Sequence, residues 1–82
     1  SQQIAQLRQQ LQATDELIGQ IDDQVKYSQA LIDVNGKLLG TGDAKISDYI
    51  IALGNYLNAR NLLTQNNITR LQIINQINYW NR

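Results

Sequence analysis

The sequence predicts an all-α fold, a long antiparallel αα-hairpin, from three observations. No Pro interrupts any of its 82 residues, apolar side chains recur at steps of three and four through both halves, and a Gly-Thr-Gly turn parts the halves. The first helix is expected over about 3–39, the tip over 40–45 and the second helix over about 46–80, all within one unit.

Helix 1 rests on the row Ile4, Leu7, Leu11, Thr14, Ile18, Ile21, Val25, Ser28, Ile32, Asn35 and Leu39, in which eight of eleven positions are apolar. Such a row lines one face of a helix for its whole length. A second, thinner row runs beside it: Ala13, Leu17, Tyr27, Leu31, Val34 and Leu38.

Between the helices, Gly40 and Gly42 permit the positive φ that ends a helix, and Asp43 is placed to accept hydrogen bonds from the free amides that start the next one. A rival break at Asn35-Gly36 requires flanks alternating with period two; they follow three-four spacing instead, so Gly36 is kept in the helix or at its fraying end. Gly19 and Gly54 are also read as helix-interior, each costing up to about 1 kcal/mol relative to Ala and each explained by close approach of a neighbouring backbone.

Helix 2 offers two rows, the first apolar at six of ten positions and the second, at least as good, apolar or aromatic at eight of ten. One is Ile46, Ile50, Leu53, Leu57, Arg60, Thr64, Asn67, Leu71, Ile74 and Asn78; the other is Tyr49, Ala52, Tyr56, Ala59, Leu63, Asn66, Arg70, Ile73, Ile77 and Trp80. Both helices thus carry two rows about 100° apart, whereas a two-stranded coil needs one. Folding back on its partner satisfies one row per helix and leaves the other needing cover. A compact three- or four-helix assembly made by dimerisation supplies that cover, and so does a wall of laterally packed helices, as in a helical barrel. An unaided core of this size rarely supplies more than about 3–5 kcal/mol, and there is no Cys to staple it.

Composition removes several function classes. Seven basic and seven acidic residues leave no net charge, so the electrostatic footprint of a nucleic-acid binder is missing. The chain has no His, Cys or Met, which removes thiolate chemistry, His acid–base catalysis and the usual nitrogen or sulfur metal sites; no cofactor is implied and the chain is not read as an enzyme. Asp15-Glu16 and Asp22-Asp23 are adjacent on a helix, point about 100° apart, and read as solvated surface rather than paired acid–base groups. Gly40-Thr41-Gly42 lacks the spacing and the following Lys-Ser or Lys-Thr of a phosphate loop. Tyr79-Trp80 fits an interfacial aromatic anchor, or equally a seam residue with its polar neighbour. No apolar run approaches the roughly 20 residues of a membrane-spanning helix. Ser1-Gln2-Gln3 runs straight into the periodic segment, as in a piece of a longer protein.

The tip also carries a resemblance. Gly42-Asp43-Ala44-Lys45-Ile46-Ser47-Asp48-Tyr49-Ile50-Ile51-Ala52, followed by Tyr56-Leu57-Asn58-Ala59-Arg60-Asn61-Leu62-Leu63, resembles the outer membrane efflux protein (TolC-like) family, with Gly42, Asp48, Ile50, Ala52, Ala59 and Leu63 at matching positions without a gap. The pattern departs at Lys45, where the family usually caps the helix with Ser or Thr, so the capping box to Asp48 is broken and Asp43 becomes the substitute cap. Ile51 stands where a second acidic residue often lines the channel constriction, and Leu39 and Ala44 stand where an entrance latch of Tyr and Arg is found, so neither device carries over.

The resemblance implies a hairpin from the periplasmic tunnel of a trimeric outer membrane channel of a Gram-negative bacterium, serving tripartite efflux or type I secretion. Membrane strands would lie outside these residues. Gly40, Thr41, Gly42, Asp43, Ala44 and Lys45 would dock on a periplasmic adaptor (membrane fusion) protein, and Asp48 would add a carboxylate ring at the channel entrance, or else only favour the positive end of the helix dipole. Gln and Asn, 12 and 9 residues, outnumber all charged side chains and would hydrate the lumen without holding cargo. The runner-up is the coiled-coil hairpin of an adaptor itself, whose tip typically presents a spaced Arg, Leu and Ser; here no Arg lies within ten residues of Gly42. A generic oligomerisation coiled coil satisfies the rows but not the tip.

Overall fold

The computed structural model describes residues 1–81 as two helices, α1 (Gln2–Thr41) and α2 (Ile46–Trp80), folded back on each other. Forty residues at 1.5 Å per residue predict about 60 Å for α1, and the molecule measures 61 × 14 × 13 Å. It is an all-α hairpin, with no strand among the described residues.

Each end of α1 has a local cause. Ser1 Oγ accepts the Ile4 amide at 3.3 Å, which satisfies one of the free donors of the first turn. At the other end Gly42 takes φ 81°, its N–H donates to Leu39 O at 3.2 Å, and the Asp43 N–H donates to Leu38 O at 2.8 Å. This pair of bonds is a Schellman closure, which needs a left-handed residue and therefore Gly. The Ala44 N–H reaches the same Leu38 carbonyl at 3.1 Å. The helix runs two residues beyond the expected Leu39, so Gly40 and Thr41 belong to its last turn.

Packing selects one row from each helix. Every member of the Ile4-to-Leu39 row is buried or half-buried, with Leu7, Ile21 and Ser28 innermost. On α2 the inward row is the one from Tyr49 to Ile77, with Ala52, Ala59 and Ile73 buried. The rival row that begins at Ile46 stays largely in water. Ala59 is the most enclosed of the buried residues at 2% exposure, and it lies beside Ser28 of α1, itself buried. Trp80 does not complete the seam. It remains 48% exposed and packs edge-on against Tyr79, ring centroids 5.6 Å apart at 84°.

Two expectations about glycines change. No side chain or neighbouring backbone lies within 4 Å of a Cβ built on Gly19 or Gly54, so close approach does not explain them. Gly36 lies inside α1 beside the Tyr49 ring, which would sit 3.6 Å from an added Cβ.

Candidate docking tip and lateral rows

The tip is short and mostly exposed. Gly40, Thr41, Gly42, Asp43 and Lys45 are exposed and Ala44 is half-buried. Thr41 Oγ1 donates to the Asp43 carboxylate at 2.8 Å and lies 3.1 Å from the Leu38 carbonyl. Asp43 therefore turns back toward α1 and does not cap α2, contrary to the expectation. The cause is the Schellman closure, which commits both the Asp43 amide and its orientation to the end of α1.

Asp48 stabilises the start of α2. Its Oδ2 accepts the Lys45 N–H at 3.1 Å, the reciprocal half of a capping box. Lys45 carries no side-chain acceptor, so it supplies the extended backbone of an N-cap (φ −89°, ψ 154°) without the hydroxyl contact. The carboxylate also sits in the first turn, where the helix dipole favours negative charge. The residues placed together are thus Thr41 with Asp43, and Lys45 with Asp48, on the two sides of one tight bend.

The rows left outside the core follow a simple geometry. On both helices, residues one step before a core position line one side of the hairpin, as a groove formed by Gln24, Tyr27, Leu31, Asn55, Asn58 and Leu62 demonstrates. Residues one step after a core position on α1 line the opposite side, where Asp15 meets Arg70 Nε at 2.6 Å. The outer row of α1 (Leu17, Tyr27, Leu31, Val34, Leu38) precedes its core row, whereas that of α2 (Ile50, Leu53, Leu57, Leu71, Ile74) follows it. The two apolar rows therefore lie on opposite sides of the hairpin. Sequence reading found both rows but not this opposition, although the offset of each row from its core row already contained it.

Charge is divided in the same way. The groove side carries one charged residue among its row positions, Asp48 at the tip, and is otherwise apolar or uncharged Gln, Asn and Thr. The opposite side carries Arg8, Asp15, Asp22, Lys26 and Asp33 on α1 and Arg60 on α2. Lys26 pairs with Asp22 at 3.0 Å, and the hydrogen bond followed by the charge of Asp22 holds its pKa above the usual lysine value. Arg60 Nη1 donates to the Tyr56 hydroxyl at 2.9 Å with its guanidinium over that ring. Among the described residues there is no cluster of three or more His, Cys, Asp or Glu side chains able to hold a metal ion, and no helix is long and apolar enough to cross a membrane. Compared with known protein families, with curated proteins and with solved structures, the chain matches none.

Proposed function

We propose that this hairpin is a stave of the periplasmic tunnel of a TolC-like outer membrane channel, in a tripartite efflux or type I secretion system, and that its tip docks on a periplasmic adaptor. The observation that carries the reading is the opposition of the two apolar rows. A stave in a wall needs one adhesive edge on each side, and a two-helix coil needs none. The gap-free likeness of Gly42 to Leu63 supports the same reading at the tip, whose exposed residues from Gly40 to Lys45 form the docking edge.

In this role the hairpin is a conduit rather than a catalyst. The amide-rich strip of α2 on the groove side, Asn55, Asn58, Gln65 and Gln76, hydrates the passage, and Asp48 rings its entrance. The parent reading frame tests the proposal: amphipathic β-strands and a second hairpin of the same pattern are expected around these residues, and flanking lipoyl-like β segments would assign the hairpin to an adaptor instead. A photoreactive residue at Thr41 of the parent channel is expected to capture the adaptor in cells, whereas one at Asn61 is not.

A further inference from the structure

We infer that the two edges of this hairpin are complementary to each other, so that identical copies of the 82-residue chain bind side by side in parallel, the α1 edge of one against the α2 edge of the next. The inference goes beyond the tunnel reading, in which the neighbours of a hairpin are other segments of a larger channel. It rests on the rows alone.

Height is the first argument. Gly36 stands beside Tyr49 and Asp15 beside Arg70, which fixes the register of the two helices at both ends. In that register Val34 is level with Ile51 and Tyr27 with Asn58, so the α1 row from Tyr27 to Leu38 spans the same part of the rod as the α2 row from Ile50 to Leu57. Two apolar stripes at one height on opposite sides meet when copies stand side by side, pointing the same way and without axial shift. One kind of contact then covers both stripes.

Charge is the second argument. The α1 edge is free of charge along the contact, and the facing α2 row contributes only Arg60, already engaged with Tyr56. Pairing like edges is worse in either form. Two α1 edges face to face leave Ile50, Leu53 and Leu57 of both copies in water, and two α2 edges leave Tyr27, Val34 and Leu38 of both copies in water.

Area is the third. The chain exposes 6084 Å², while a compact monomer of 9.3 kDa exposes about 5,000 Å². Shared between two edges, the surplus is about 550 Å² on each, at the low end of what one partner hides in a specific interface. Because a repeated unlike-edge contact is heterologous, it closes as a ring or continues as a wall.

Cysteine cross-linking of the whole chain separates the possibilities. Val34 (51% exposed) and Ile50 (60% exposed) lie on opposite sides of one hairpin, so their Cβ vectors diverge and no bridge forms within a chain. In neighbouring copies they face each other at nearly equal height. The doubly substituted chain, V34C with I50C, is expected to give a ladder of covalent dimers, trimers and larger species on mild oxidation, while V34C alone stays largely monomeric. Dimers from V34C alone, with no ladder from the pair, would overturn the inference in favour of like-edge pairing, and monomers throughout would overturn it outright. Sedimentation of the unsubstituted chain is expected to show mass rising with concentration. Val34→Glu should weaken that association at least about tenfold, and Asn61→Glu, away from both rows, should leave it unchanged; equal effects of the two would also overturn the inference. A ladder without adaptor capture at Thr41 leaves this inference standing and removes the tunnel reading, and the reverse result does the opposite.

Discussion

The half of the rod nearest the tip and the half nearest the chain ends differ in the size of their most enclosed residues. Toward the tip the buried residues are Ser28, Ala52 and Ala59; toward the ends they are Leu7, Ile21 and Ile73. Small residues bring backbones close and gain dispersion contacts between main chains, whereas bulky ones gain stability by removing side-chain area from water. The tip half also carries large apolar side chains on its outside, Tyr27, Val34 and Leu38 on α1 and Ile50, Leu53 and Leu57 on α2. In the tip half, small buried residues thus alternate with the half-buried Val25, Ile32, Tyr49 and Tyr56, and the base half buries Leu and Ile beside the half-buried Asn66 and Arg70.

The difference predicts opposite mutational behaviour in the two halves. The largest effect is expected from Ile73→Ala, which opens a cavity in the base half and should cost about 2–4 kcal/mol by chemical denaturation; a loss below about 1 kcal/mol would remove the distinction. Ala59→Leu should cost about 1–3 kcal/mol by forcing the closely packed helices apart, and a neutral result would show that the tip half has room to spare. Gly42→Ala should cost about 1 kcal/mol through the left-handed conformation that its φ of 81° imposes, with the helical content of α1 and α2 retained by circular dichroism. Smallest and opposite in sign, Gly54→Ala, with open space around it, should stabilise the chain by about 0.5–1 kcal/mol; destabilisation would mean that this position is packed against something.

Much of this was legible from residue order. The seam of α1 is the three-four row in full, including its polar members Thr14, Ser28 and Asn35, because a helix without Pro keeps its period for as long as one face is buried. The choice between the two α2 rows was partly legible. Counting apolar or aromatic positions, eight of ten against six of ten, leans to the row from Tyr49, while the enclosure of Ala59 beside Ser28 shows only once the helices are packed. At the tip, Gly42 was legible as the helix terminator, but the role of Asp43 was not. Its nearness to α2 in sequence suggested a cap, while the closure of α1 turned it toward Thr41 and left Asp48 to do the capping.

The bend between the helices is only four residues long, Gly42 to Lys45. Closing so short a loop costs little entropy, and each contact farther from it would cost more if made first. Contacts near the bend are therefore expected to form first, those around Ser28, Ala52 and Ala59 before those around Leu7 and Ile73. The order has a kinetic signature: disturbing Gly42 slows folding, whereas trimming Ile73 chiefly hastens unfolding. In that order, the exposed tip would be the first part of the rod to acquire its shape.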